Sequence, residues 1–433
     1  MFFDRQELCR GVHLNILNTD KFKRNFVSVN FVLPHRKEYA ALSSVLADVL
    51  TRATKRFPEL KLIERELDDC YGAQLSSYSS VKGESKIVSF SMDSLCDCYS
   101  LDGESIFKRS SDLLCDVIFD PYLVEGVFSS EFVNSEKEKL LMSVGRRKNS
   151  KRSYALDSLK SNMCRGEAYG VFSYGDEEDI LAIDEIKLYE FYKHMLSDAS
   201  IELFYVGAEE REKVLSLFCG MFADKPRKAY KLEEVPLRID VKEEKHLSEA
   251  ANYKQSVLTM GFRIDIPYES DEKYAFTLFN SIFGSGVNSK LFKIVREQMH
   301  LCYYASCTPD LVKGVAFVSS GIDPSNEKIA MDAIIEQLKA TQRGDFSDED
   351  IADCKRALQN AYKELYDSPE GLCGWYLGHV IFGNYESAES VYEKISQVTK
   401  DRIIDAAKQM KLDTVFVLSG NAKTDNGEDV QDE

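Results

Sequence analysis

Val27-Ser-Val-Asn-Phe-Val-Leu33 alternates apolar and polar residues over most of its length, the pattern of a strand with a buried face. It leads into a stretch of helical apolar spacing from about Lys37 to Thr54. About 230 positions later, Ser256-Val-Leu-Thr-Met-Gly-Phe262 has the same character and precedes a helical stretch from Ser270 to Phe283. Outward from these two cores the parallels continue. Cys70-Tyr-Gly-Ala73, followed by strand-like Gln74 to Ser80, resembles Cys302-Tyr-Tyr-Ala305 and its strand, and Lys86 to Asp93 resembles Val315 to Asp323. Each half then turns helical, as in Asp348 to Tyr366, and closes on a strand, Ile201 to Gly207 and Thr414 to Gly420. An ordered series at a nearly constant offset predicts duplication. The expected fold is α+β, with two homologous domains that each hold an antiparallel sheet covered by helices on one side.

The segments are expected at 1–222 and 250–420. Between them, residues 223–249 are rich in Lys, Glu and Pro and lose apolar periodicity, which predicts a linker. The polar, acidic stretch 421–433 predicts a disordered tail.

A chain of 433 residues is too long for one domain of ordinary size, and 44% hydrophobic residues supply enough material for more than one core. The net charge of -17 argues against nucleic acid or an anionic membrane as partner, because both need excess Lys and Arg. The eleven cysteines are scattered without a C-x-x-C pair; the closest two, Cys96 and Cys98, are poorly spaced for a zinc knuckle. Free thiols in a reducing compartment are expected. Met-Phe-Phe-Asp-Arg-Gln-Glu at the start lacks the apolar core of a signal peptide. No uninterrupted apolar run of ~18 residues predicts a membrane span. The expected location is cytoplasmic.

Three stretches carry a resemblance to the pitrilysin/insulinase family of metallopeptidases: Thr51-Arg-Ala-Thr-Lys-Arg-Phe-Pro58, Glu66-Leu-Asp-Asp-Cys-Tyr-Gly-Ala73, and Gly284 through Tyr303. The resemblance covers nearly the whole chain and is closest to the half-length, non-catalytic subunits of that family. It implies the fold shared by the LuxS-type metallopeptidases and processing peptidases. It also implies that active members carry His-x-x-Glu-His on the helix ahead of the first stretch. There, imidazoles four residues apart share a helix face and bind zinc, while the glutamate activates the metal-bound water.

The corresponding places here hold Ser44, Ala47 and Asp48: a poor ligand, no base, and a lone carboxylate. Active relatives take a third ligand, a glutamate, from a later helix. In Glu136-Lys-Glu-Lys-Leu-Leu-Met-Ser143 the alignment puts Ser143 at that place, with Glu136 or Glu138 as alternatives. The expectation is therefore no metal, no cofactor, and no catalysis by this chain alone. His35-Arg-Lys-Glu38-Tyr39 is a near miss of the motif that lacks the second imidazole and falls in a turn after Pro34, so it reads as chance. His13, His194, His246, His300 and His379 are isolated.

In the family, an arginine and a tyrosine seven residues apart, from the second domain, face the zinc site. Arg296 and Tyr303 keep that spacing. An arginine offers planar donors to a peptide carbonyl, and a phenol can stabilise a tetrahedral oxyanion. The plainer alternative is that Arg296 pairs with a surface carboxylate and Tyr303 packs in a sheet; Tyr304 leaves open which phenol faces a cavity. Gly284 and Gly286 resemble the glycine-rich loop of non-catalytic subunits, and an ordinary helix-entry turn explains them equally well. The basic run Arg146 to Arg152 reads as a solvated face. The resemblance implies a heterodimer with an active zinc-bearing homologue, peptide as substrate, and substrate clamps supplied in trans. The alternative is a scaffold or peptide-binding protein, such as a homodimer.

Overall fold

The central strand of the first sheet is Arg24–Pro34, and nearly all of it is buried. A strand buried along its whole length needs cover on both faces, and the chain supplies it in an order that the sequence does not show. The computed structural model describes residues 2–101, 103–222, 227–229, 235–237 and 240–420. Two units interleave along the chain. One holds Met1–Gly145, Val171–Glu234 and Leu365–Tyr385; the other holds Arg146–Gly170, Val235–Glu364 and Glu386–Glu433.

In the first unit the strands are β1 (Phe2–Cys9), β2 (Val12–Asn18), β3 (Arg24–Pro34), β4 (Gln74–Lys82) and β5 (Ser85–Leu95), then a short hairpin β6 (Leu123–Val124) and β7 (Val127–Phe128), and β8 (Ser200–Gly207). The large sheet runs β1-β2-β8-β3-β5-β4. Its helices include α1 (Lys37–Leu50), α2 (Leu60–Asp69), α3 (Ile106–Phe119) and most of α4 (Ser130–Asn149). In the second unit, after α5 (Lys151–Met163), the strands are β9 (Lys245–Ala251), β10 (Ser256–Ile264), β11 (Cys302–Asp310), β12 (Val315–Ile322) and β13 (Met410–Gly420), ordered β11-β12-β10-β13-β9. The remaining helices are α6 (Glu177–Leu181), α7 (Glu185–Asp198) and α8 (Arg211–Phe222) in the first unit, and α9 (Glu272–Phe283), α10 (Glu327–Arg343) and α11 (Asp348–Glu364) in the second. They are followed by α12 (Pro369–Val380) in the first unit, then α13 (Ala388–Ser396) and α14 (Lys400–Lys408) in the second.

Five of the six strands of the first sheet, all but β1, have a counterpart in the second. β3 pairs antiparallel with β5 and β8, and β8 lies parallel to β2. In the second unit β10 pairs antiparallel with β12 and β13, and β13 lies parallel to β9. The α+β class is as predicted, with two corrections. Each sheet contains one parallel pair, so neither is purely antiparallel. Each is also covered on its second face by one helix. Val27, Val29, Phe31 and Leu33 of β3 pack into the main core with α1, α3 and α7. Phe26 and Val32, on the other face, meet Leu372, Tyr376, Leu377 and Val380 of α12. In the second unit α5 plays this part, with Ala155 and Leu159 packed on Val257, Phe416 and Leu418.

Asn30, buried on β3, has its side-chain amide satisfied. Asn30 Nδ2 donates to Ser28 Oγ at 3.0 Å and to the Glu202 carbonyl at 2.9 Å, and Ser89 donates to its Oδ1 at 2.7 Å. A buried ionic set anchors the α5 segment to its sheet. Arg263 meets Glu167 at 2.7 Å and Asp413 at 3.0 Å, and Lys313 meets Glu167 at 2.7 Å.

Residues 223–249, predicted as a linker, lie partly outside the described residues, and their last five form the start of strand β9. Stretch 421–433 lies outside the described residues. Among the described residues no helix is long and apolar enough to cross a membrane.

Candidate functional site

On α1 the three places of the zinc motif have been put to other uses. Ser44 Oγ donates to the Ala40 carbonyl one turn back, at 3.2 Å. Ala47 is 1% exposed and belongs to the hydrophobic core, so its place is closed by packing. Asp48 reaches solvent. The acid set near it comes from α4: Glu136 is 2% exposed and accepts from Arg52 Nη1 at 3.0 Å and Lys139 Nζ at 2.8 Å. Arg52 in turn lies over the Phe132 ring, 5.3 Å from its centroid. Atoms crowded around the Asp48 carboxyl desolvate it and Glu136 adds like-charge repulsion, while Lys139 opposes both; the result pushes its pKa up to about 6.

Of the three alternatives for the third ligand, the structure therefore sets Glu136 beside Asp48. Ser143 follows it two turns on along the same helix face and is exposed, as is Glu138. Two carboxylates, two cations and a hydroxyl turned to its own backbone do not make a zinc site. The guanidinium and ammonium already neutralise the charge that would attract a metal. Among the described residues no group of three or more His, Cys, Asp and Glu is arranged to hold a metal ion.

The near-miss motif also comes apart. His35 is buried, with Nε2 3.1 Å from the Val171 carbonyl, and it precedes α1; Glu38 lies exposed in the first turn of that helix. His194 sits 2.9 Å from the Tyr39 hydroxyl, His13 is 3.3 Å from Glu202, and His379 Nδ1 is 2.8 Å from the Trp375 carbonyl. Each belongs to a local contact.

In the second unit, Gly284 ends α9. A Cβ there would stand 2.5 Å from Cys307 Cβ, and the Gly284 carbonyl accepts from Cys307 N at 2.8 Å. This glycine is accounted for by the close approach of helix to strand. Gly286 differs: its φ is +80°, nothing would meet a Cβ, and with Ser285 and Val287 it forms an exposed tip. Ser289 then caps the next turn, donating to the Gly286 carbonyl at 2.8 Å and accepting from Phe292 N at 3.3 Å.

The sequence predicts an ordinary helix from Ser289 to Arg296; the structure has a π-helix over Leu291–Gln298. Such wide turns are rare and concentrate at functional sites. The chain leaves it through His300, at φ 53°, and enters β11. The register against β12 shifts between Cys302 and Tyr304, which makes Tyr303 the extra residue of a β-bulge.

That bulge separates the two phenols. Tyr304 lies against Gly321, its hydroxyl 3.5 Å from Ser319 Oγ and its ring under Arg152 at 4.6 Å. Tyr303 is 56% exposed, and its hydroxyl has no hydrogen bond among the described residues. Arg296 is half-exposed, stacked 4.6 Å over Phe292, with Nε 3.4 Å from Glu297. Burial raises the pKa of Cys302, against a hydrogen bond to Ser320 and the nearby charge of Arg296, which marks the guanidinium as close to the start of β11. The plain alternative holds for Arg296, which pairs with the surface carboxylate of Glu297, but not for Tyr303, which is exposed. The earlier parallel also shifts. Cys70–Ala73 precedes β4, with Tyr71 left-handed at φ 60°, so its counterpart is His300, whereas Cys302–Ala305 lies inside β11.

The fold is of the metallopeptidase-like α+β class, and Ser44, Ala47 and Asp48, set against the zinc motif by the family resemblance, have other contacts here. Comparison with known proteins agrees. A family model described as "Peptidase M16 inactive domain" matches residues 182–358. A "Probable inactive metalloprotease YmfF" of Bacillus subtilis (strain 168) is 30% identical over 410 residues, covering 95% of this chain and 96% of the relative. The chain belongs to the peptidase M16 family and is a non-catalytic member of it. A conserved protein from Enterococcus faecalis V583 has a similar structure, with a TM-score of 0.89 and 27% identity over 98% of this chain and 100% of its own. A peptidase M16 inactive domain from Pseudomonas fluorescens shares the fold at a TM-score of 0.80 and 15% identity, covering 97% of this chain and 99% of its own.

Proposed function

We propose that this chain is the non-catalytic subunit of a zinc metallopeptidase pair, and that Arg296 and Tyr303 clamp a peptide substrate at the zinc of an active homologue. The observation that carries this reading is the state of Tyr303. A β-bulge turns a large phenol out to solvent with no hydrogen-bond partner among the described residues, seven positions after a half-exposed arginine on the π-helix. The arginine offers paired donors to a peptide carbonyl and the phenol offers one to a developing oxyanion. Gly286, at the exposed tip, adds a backbone free to approach an extended peptide, and Gly284 fixes where that tip leaves α9.

Two measurements test the reading. Metal analysis of the purified chain is expected to find no stoichiometric zinc; one tightly bound zinc per chain overturns it. Purification from native extract is expected to bring down a homologue that contains His-x-x-Glu-His. Recovery of a homodimer alone would favour a scaffold without a catalytic partner.

A further inference from the structure

Behind the π-helix lies a cavity of about 160 Å³, which three residues of that helix help to line. Lys290 and Lys293 bring two cations to it, and Asn288 and Gln298 bring side-chain amides that have no hydrogen-bond partner among the described residues. Ile294 and Phe346 form an apolar wall. The one acid in the lining, Asp350, is already engaged: it accepts from Ser347 N at 3.0 Å and Ser347 Oγ at 2.8 Å, and it lies 3.4 Å from Lys293.

Lys290 is different. It is half-buried, and among the described residues no carboxylate stands within ion-pair distance of it. Asp350 and Asp345 act on it only from further off, and Arg343 repels it. Arg343 is itself paired with Glu336 at 2.8 Å and Asp345 at 3.1 Å. Burial lowers the pKa of Lys290, as expected for an ammonium withdrawn from water without a counter-ion.

We infer that this cavity is a binding site for a small oxyanion of phosphate size, held by Lys290 with Lys293 and the amides of Asn288 and Gln298. The volume supports that class, since about 160 Å³ has room for one such anion. A half-buried cation without a partner gains most from a charge-assisted hydrogen bond. Because the lining includes Lys293, Ile294 and Gln298 of the π-helix together with Phe346 and Asp350, an anion here would tie that helix to its neighbours and steady the backbone that carries Arg296. The site does not depend on the pairing proposed above.

The test is isothermal titration of the full chain with inorganic phosphate, and in a second arm with O-phosphoserine, which separates a free anion from the phosphate of a larger ligand. One site per chain is expected in at least one arm. Lys290→Gln should weaken it at least about tenfold, the loss of one hydrogen bond to a charged group. Lys339→Gln, at an exposed position of α10, should leave it unchanged. Far-UV circular dichroism checks that each variant is folded. No saturable binding in either arm, or equal affinity in folded Lys290→Gln, overturns the inference.

Discussion

The face of α1 and α4 in the first unit and the π-helix-to-β11 segment in the second handle charge in opposite ways. In the first, Glu136, Arg52 and Lys139 satisfy one another and Ala47 is sealed in the core. In the second, Tyr303 has no partner among the described residues and Arg296 only a neighbouring glutamate at 3.4 Å. A region whose charges are consumed internally serves the stability of its own unit. A region that holds polar groups out by a bulge and a π-helix departs from regular backbone, and it is here that the proposed substrate contacts lie. Substitutions of the ionic groups in the first region should change stability, and those of the Arg296 and Tyr303 side chains in the second should not.

The largest effect expected is at Glu136. Glu136→Gln leaves Arg52 and Lys139 facing each other without their acid and should cost about 2–3 kcal/mol in denaturant unfolding; the partial exposure of Arg52 keeps the cost below that of a fully buried pair. No loss would mean that the ionic set is not what fills the old metal place. Next come the two glycines of the second region, which sharpen its boundary. Gly284→Ala must push against Cys307 and should cost about 1–3 kcal/mol. Gly286→Ala meets only backbone strain and should cost about 1 kcal/mol.

A smaller effect is expected at Asp48, and its sign depends on pH. The folded pKa of about 6 lies above the ordinary 3.8, so the fold disfavours the charged form. The resulting penalty is absent well below pH 3.8, grows from there to about 6, and is complete above that. Asp48→Asn should therefore raise the melting temperature at pH 7 and leave it unchanged at about pH 3. The side chain's exposure screens the gain to less than about 1 kcal/mol. Arg296→Ala and Tyr303→Phe should change stability by no more than about 0.5 kcal/mol. A larger loss at either would place them among the packing residues.

Much of this was legible in the sequence. Strands β3, β5, β8, β10 and β12 announce themselves by apolar alternation, and α1, α9 and α11 by helical spacing. Strand β9 is hidden because Lys245-His-Leu-Ser-Glu-Ala-Ala251 is an edge strand with mostly exposed side chains, so nothing apolar marks it. The crossing of α5 and α12 is hidden for another reason: an apolar helix face shows that a sheet is covered, not which one. The loss of the zinc motif at Ser44, Ala47 and Asp48 is plain from residue types. The role of Glu136 is not, because alignment drifts by a turn along a helix; its ion pair with Arg52 is a contact across 84 positions that no local pattern carries. The seven-residue spacing points to Tyr303, but its exposure follows from a bulge, which a run of two tyrosines cannot reveal.

The most direct test of the central claim is peptide turnover by this chain reconstituted with the zinc-bearing homologue proposed as its partner. The account predicts that Arg296→Ala abolishes turnover in the mixture while the variant stays folded and pairs as well as the wild type. Unchanged turnover with Arg296→Ala, or peptide cleavage by this chain alone, would contradict it.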